Sequence, residues 1–378
     1  MRGLSACGVA DREAALIPKG NNPLMKLKDY TAVIHLHSAY SYDGRASIPE
    51  ILAAARKCAV DVLLLTDHST IHARKEGYEG WQDGVLLVVG EEIAPRFNHY
   101  LAFGLREAVA CAEKEPELPP QAYIDRVRDG GGVGFIAHPD HEGTALFHVK
   151  HYPWMDWTVT GYTGMGIWDF MTDWQKSLSG RIKAVLSYLY PAFFLRGPSA
   201  ATLERWDRLT RDRRVVGIGE LDNHDSLRQF YGIPVRVFPF HRVFDLIRTH
   251  ILLEETFSGD HRVDIAEVLN AMRNGRVYIS LDRYRAATGF SMLMAERGRE
   301  ATMGDEFILH HAAEFQVRLP ERARIRLIRN GTLFRKYTAK EFSEIIRDPG
   351  VYRIEADLNV LGRYHPWIWS NPIYATLH

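Results

Sequence analysis

His35 and His37 stand two residues apart at the end of the apolar run Ala32 to Leu36. In an extended strand that spacing turns both imidazoles to one face, where they can chelate a cation. Ser38 to Gly44 then sets the Asp43 carboxylate in a turn close to the same strand end. A second run, Val62 to Thr66, closes on Asp67-His68, an acid and a histidine that would be costly to leave unpaired at a core edge. A third ends in Gly90-Glu91-Glu92-Ile93, with His99 following before the next apolar run. A fourth gives Ile136-Ala137-His138-Pro139, and a last one gives Glu220-Leu221-Asp222-Asn223-His224. Mixed imidazole and carboxylate ligands suit divalent zinc, manganese or iron, and softness does not choose among them. Two such cations within about 4 Å lower the pKa of a shared water towards neutrality, so that hydroxide can attack phosphorus or a carbonyl carbon with no Ser or Cys nucleophile.

Those residues must be carried by elements that end on one side of the fold. Short β-branched runs at Ala32 to Leu36, Val60 to Thr66, Val85 to Gly90, Leu101 to Phe103, Val133 to Ala137 and Val215 to Leu221 alternate with helical patterns at Ile48 to Cys58 and Pro120 to Asp129. This is the βαβ rhythm of a parallel sheet or barrel, in which functional groups collect at the carboxyl ends of strands. Residues 1–29 carry no sustained period and read as an N-terminal extension. Between Phe147 and Trp206 the rhythm breaks into an aromatic-rich stretch, read as a helical insertion over the site, with core packing the commoner use of such aromatics. After about Ser280 the pattern turns to alternating strands, Glu314 to Leu319, Arg324 to Arg329 and Val351 to Ala356, with Asn330-Gly331 as a turn, so residues 286–378 are expected to form a small β-sandwich.

The 378 residues suit a barrel-sized domain plus a small one. Lys plus Arg equals Asp plus Glu at 47 each, so no global field draws the chain to nucleic acid or an anionic membrane, and an anionic substrate must be held locally. Cys7, Cys58 and Cys111 are odd in number and unpaired in spacing, which argues against a disulfide framework and a thiolate zinc site. No run approaches the length of a membrane span. A cytoplasmic location is the default. Leu4-Ser5-Ala6-Cys7-Gly8 resembles a bacterial lipoprotein attachment site without a signal peptide's charged and apolar regions before it, which leaves a cell-envelope lipoprotein anchored through Cys7 as the alternative.

Taken in order, His-x-His-Ser with Ser-x-Asp-Gly, Thr-Asp-His, Gly-Glu-Glu with a later His, His-Pro and Asp-x-His resemble the polymerase and histidinol phosphatase (PHP) superfamily over about residues 30–285. The resemblance implies an α/β fold, a distorted (β/α)7 barrel, holding two or three divalent metal ions. It implies that His35, His37 and Asp222 hold the first, that Glu92 bridges it to a second held by His99 and His138, and that Asp43, His68 and His224 hold the third. Glu91 competes for the bridging place but ranks lower, because family members put the ligand on the second acid. Stretches around Asn274-Gly275-Arg276, Ile328-Arg329-Asn330-Gly331 and Trp367-Ile368-Trp369-Ser370-Asn371 are similar to the β-domain of the carbaryl-hydrolase-like branch, which implies carboxylic or carbamate esters as an alternative to phosphate esters.

Outside the ligand set, Asp67 is expected to orient a ligand rather than bind metal. Arg45, directly after the Asp-Gly turn, is a candidate phosphate clamp, although a salt bridge is the commoner fate of such an arginine. His141, His148, His151, His241 and His250 have no motif support and read as polar or core histidines, with His241 carried forward as a candidate donor to a leaving group. The expected partner is a small-molecule ester, with nucleic acid admitted only as a nucleotide or short oligonucleotide. The leading function is hydrolysis of a small or nucleotide-like phosphate ester; a metal-stabilised binding module is the non-enzymatic reading.

Overall fold

The computed structural model describes residues 27–109, 111, 118–145, 149–230 and 232–377. Most of the N-terminal extension, with Cys7, and Phe147 and His148 at the start of the aromatic stretch lie outside the described residues.

The strand Lys28–Ile34 pairs in parallel with Val62–Leu65, which pairs in parallel with Val85–Val89. These short, wholly apolar runs are buried along their length, as strands covered on both faces must be. On its other edge Lys28–Ile34 runs antiparallel to Ile247–Leu253, which runs antiparallel to Val277–Leu281. A separate sheet of five contains, in order, Glu91–Ile93, Tyr100–Phe103, Val133–Ile136, Gly164–Asp169 and Val216–Glu220.

The two sheets meet where the candidate ligands sit. Gly90 alone separates Val85–Val89 from Glu91–Ile93, and a Cβ there would lie 2.4 Å from the Ala102 carbonyl oxygen, so the chain can pass from one sheet to the other only with glycine. At the opposite side Leu221 N–H donates to the Ile34 carbonyl (3.0 Å) and His37 N–H to that of Asn223 (3.1 Å). Apart from the two-stranded hairpin Leu227–Phe230 and Ile233–Arg236, the described strands form two touching sheets in a mixed α/β fold, where the sequence suggests a distorted (β/α)7 barrel. Part of the difference is connection length. Ile93 and Tyr100 are too close in sequence for the crossover of a dozen residues that parallel neighbours need, so those strands pair antiparallel.

The aromatic stretch also differs from expectation. It is not wholly a helical insertion, because Gly164–Asp169 is a fully buried strand between Val133–Ile136 and Val216–Glu220. Two glycines hid its pattern. Helices follow at Phe170–Lys176, Arg181–Leu189 and Ala200–Asp212. Trp154, Trp168 and Trp206 are core residues, whereas Phe193 and Tyr190 are exposed.

Beyond Val277–Leu281 the same sheet continues into the C-terminal region through Arg363–Ser370. The long strands Ala313–Arg329 and Thr332–Ile346 form a hairpin at Asn330-Gly331, whose φ values of 51° and 77° are those a tight primed turn requires. Glu314 to Leu319 and Arg324 to Arg329 are one strand with an irregularity between Arg318 and Ala323. This region has its own core, centred on Phe315, Ile325, Tyr352 and Trp367. Asn371 ties it to the five-stranded sheet: its amide accepts from Gly217 N–H (2.8 Å) and donates to the carbonyls of Gly217 (2.8 Å) and Val277 (2.9 Å). Among the described residues no helix is long and apolar enough to cross a membrane.

Candidate metal centre

The structure brings all nine expected ligands into one cluster, at or just beyond strand ends. Strand alternation is not what aims His35, since Lys28–Ile34 stops one residue before it and His35 has φ 67°. His138 (26°) and Asp222 (51°) also lie at positive φ. Such conformations cost on the order of 1–3 kcal/mol each and persist only where surrounding contacts over-determine them.

Three overlapping groups each place their ligand atoms within 4.8 Å of one another: His35, His37, Glu92 and Asp222; Glu92, His99 and His138; and His37, Asp43, His68 and His224. Glu92 belongs to two groups and His37 to two. Glu92 Oε2 lies 3.2 Å from His35 Nε2, 3.4 Å from His37 Nε2 and 3.0 Å from His68 Nδ1, while Oε1 lies 2.8 Å from His99 Nδ1 and 3.2 Å from His138 Nε2. Asp222 Oδ1 is 3.3 Å from His35 Nε2, and Asp43 Oδ2 is 3.3 Å from His68 Nε2 and 3.2 Å from His224 Nε2. A tetrahedral ion with bonds of about 2.1 Å holds its ligand atoms about 3.4 Å apart, so these separations fit the edges of a coordination shell.

The hydrogen bonding supports the fit. His35 Nε2, both ring nitrogens of His37, His68 Nδ1 and Glu92 Oε2 are buried without a hydrogen-bond partner despite their short separations. Buried polar atoms are rarely left so, and protons cannot resolve all of them. Burial and the neighbouring His224 and His68 push His37 down to about 3, so its ring is neutral and carries one lone pair able to bind a cation. His68 goes the other way: burial opposes its charge, but Glu92 and Asp43 raise it to about 10. Glu92 is held well below the usual carboxylate range, its burial outweighed by His35, His68 and His99. Cations between these atoms would satisfy them together. The donor set fits divalent metal ions.

Several residues brace the cluster. Glu220 went without a role in the sequence reading, yet it is fully buried, with Oε2 3.1 Å from His35 Nδ1 and Oε1 accepting His138 N–H at 2.5 Å. It needs Gly166 opposite, where a Cβ would meet Glu220 Oε1 at 1.7 Å. A carboxylate two residues before Asp222, on a glycine-rich strand, was the available signal. Asp67 accepts from Ser38 N–H (2.6 Å) and Ser38 Oγ–H (2.7 Å), so it fixes the loop after His37 rather than a ligand ring. Glu91 faces away from the cluster, accepting Val109 N–H (2.6 Å), and burial raises its carboxyl to about 7. Asp225, buried beside His224, is clasped by two nitrogens of Arg236.

Two expected residues are elsewhere. Arg45 is exposed, and His241 is exposed with its carbonyl 3.5 Å from Cys58 Sγ; neither lines the cavity above the cluster. The turn carries Asp43 inward and Arg45 outward, and His241 lies on a short helical turn, Phe240–Arg242, packed against Ile48–Lys57. His141 does line the cavity. Its Nδ1 accepts Tyr152 N–H (3.2 Å), and burial with the nearby His138 lowers it to about 3, so it is a neutral acceptor. His250 lies apart as a buried, fully partnered core histidine. The cavity itself measures about 570 Å³, with Glu92, His138 and Asp222 in its metal-facing wall and Lys150 and Arg228, both exposed, among the other lining residues.

Comparison with known proteins gives these relationships. An uncharacterized protein of Methanocaldococcus jannaschii is 29% identical over 146 residues, 32% of this chain and 82% of that one. A two-domain protein from Bacteroides vulgatus, described as containing a predicted PHP-like metal-dependent phosphoesterase, aligns over 97% of this chain and 100% of its own, at 14% identity and a TM-score of 0.42. Endonuclease Q, in complex with a 27-mer duplex bearing an abasic lesion, aligns over 64% of this chain and 57% of its own, at 12% identity and a TM-score of 0.37. The PHP domain family matches residues 34–119, the stretch that supplies His35, His37, Asp43, His68, Glu92 and His99 to the cluster.

Proposed function

We propose that the chain is a metal-dependent phosphoesterase acting on a phosphate ester small enough to enter the cavity. One observation carries the reading: buried, unpartnered nitrogen and oxygen atoms of His35, His37, His68 and Glu92 converge, with His68 and Glu92 lining the cavity and His35 and His37 buried outside its lining, within a stretch matched by the PHP domain. Divalent ions held by the nine residues would supply Lewis acidity and lower the pKa of water. The chain's own groups do the rest. Glu220 holds His35 and the His138 backbone, Asp67 holds the loop after His37, and Lys150 and Arg228 bring positive charge to an anionic substrate. Catalysis in this reading belongs to residues 30–285, and the β-rich residues 286–378 support it through Asn371.

A second reading, hydrolysis of carboxylic or carbamate esters as in the carbaryl-hydrolase-like branch, is favoured by the apolar wall of the same cavity. The test is turnover by protein loaded with zinc, manganese or iron. The substrates are p-nitrophenyl phosphate, bis-p-nitrophenyl phosphate, p-nitrophenyl acetate and 1-naphthyl methylcarbamate. Phosphate esters are expected to be hydrolysed faster, with two or more metal equivalents per chain by elemental analysis. Glu92→Gln is expected to lower both metal content and rate, the rate by about a hundredfold or more, while Glu91→Gln leaves metal content nearly unchanged. Carbamate turnover exceeding phosphate turnover would replace the first reading by the second.

A further inference from the structure

The cavity has two unlike halves. One is the metal cluster. The other is walled by Met171, Trp174, Leu178, Val185, Val235 and Val237, on the helices Phe170–Lys176 and Arg181–Leu189, the link between them (Leu178) and the hairpin strand Ile233–Arg236 with the residue after it. That wall is held in place. Trp174 Nε1–H donates to Ser187 Oγ (3.1 Å), the Trp174 ring meets Phe238 edge-on at 4.7 Å, and Tyr188 O–H donates to the Arg236 carbonyl (2.9 Å), tying helix to hairpin. A pre-formed wall binds without first paying an ordering cost. Gln175, buried with Oε1 unpartnered, adds one acceptor.

The apolar surface continues outward from the rim. Val185 is 42% exposed while lining the cavity, and Ile182, Leu186 and Leu189 of the same helix are 80%, 44% and 51% exposed. A continuous exposed apolar strip leading into a pocket marks a site for apolar material. A polynucleotide would instead need a basic track with stacking bases along it. Among the described lining residues only Lys150 and Arg228 are Lys or Arg.

We propose that this second half is a binding subsite for a bulky apolar group, which makes the substrate an amphiphile: a phosphate monoester of an apolar alcohol or phenol. Its phosphate sits at the metal cluster and its body runs along the wall from Trp174 to Val185. The proposal rests on the phosphoesterase reading for the phosphate end and on the wall for the rest.

Methyl-, butyl- and octylphosphonate test it, because their carbon–phosphorus bond resists hydrolysis and binding is read without turnover. Calorimetry on the metal-loaded full chain is expected to show affinity rising about fourfold per methylene until the wall is covered, with octylphosphonate tighter than thymidine 5′-monophosphate. Val185→Asp, at a position already open to water, is expected to flatten the series; Ile345→Ser, exposed on the C-terminal hairpin, is expected to leave it intact. A flat wild-type series, or tighter binding of the nucleotide, overturns the subsite. If such a flat series accompanies hydrolysis of methyl phosphate, the phosphoesterase reading survives the loss. A rising series without hydrolysis of octyl phosphate keeps the apolar subsite but overturns the proposed substrate class together with the phosphoesterase reading.

Discussion

The metal centre and the C-terminal sheet both bury charge, and they treat it in opposite ways. In the sheet, Arg353 grips Asp207 through two nitrogens at 2.7 Å each and Glu355 through the third, also at 2.7 Å; Arg326 reaches Glu355 at 2.9 Å, and Arg324 reaches Asp357 at 2.8 Å. Donor forks meet acceptors in bidentate or near-bidentate fashion, the geometry that best offsets desolvation. At the candidate metal centre Glu92 Oε2 lies 3.0–3.4 Å from His35 Nε2, His37 Nε2 and His68 Nδ1, yet none of these four atoms has a hydrogen-bond partner. A buried ionic network complete in itself holds helix Ala200–Asp212 to the strand Gly350–Val360. One whose buried donor atoms lack partners is the kind of cluster that divalent cations would complete.

Three measurements would break or sharpen that contrast. The largest effect is expected from Arg353→Met, which leaves Asp207 buried and unpaired and should cost about 3–5 kcal/mol in denaturant unfolding. Metal content per folded chain should stay the same, and a fall in step with stability would show that the two networks are one. Next comes His250, buried between Asp29 (2.7 Å) and Ser280 (3.0 Å) and stacked on Tyr278. Burial alone would lower it, but Asp29 and Asp282 raise it to about 9. Because the folded value exceeds the unfolded one near 6.5, its contribution is complete below that pH and is lost as pH rises through 9, at most on the order of 3 kcal/mol. The wild-type stability difference between pH 6 and pH 9.5 should therefore shrink in His250→Gln; an unchanged difference refutes the assignment. The smallest effect is expected from Glu220→Gln, which keeps the shape but weakens the hold on His35 and should reduce metal affinity about 10- to 100-fold with little change in unfolding. Unaltered affinity would mean the His35 ring is fixed by packing alone.

Most of the candidate ligands were legible because they lie at or close to the end of an apolar run, where a His or acid has few uses other than pairing or coordination. Their aim was not. His35 and His37 converge through a left-handed turn beyond the strand, and no period-2 rule foresees φ 67° at a histidine. Glu220 hid in plain view, since its partners lie 82 and 185 residues away in sequence. The strand Gly164–Asp169 escaped because Gly164 and Gly166 answer to the Val216 carbonyl and Glu220 rather than to any local preference. Arg45 lies away from the cavity because adjacency to a motif in sequence does not decide which way a turn faces, and His241, without a motif, sits on a short helical turn packed elsewhere. In the C-terminal region, alternation and the Asn330-Gly331 turn were enough to read strands, but not that they extend the first sheet.

Asn371 has a consequence for the order in which the protein is assembled. Its side chain satisfies the backbone of Gly217, 154 residues earlier, on the strand that leads into Asp222 and His224. During synthesis that strand emerges long before its partner, so its edge must wait, unpaired or hydrated, until the final strands are made. A nascent chain halted before residue 371 would carry Asp222 and His224 without the side chain that braces the strand leading into them.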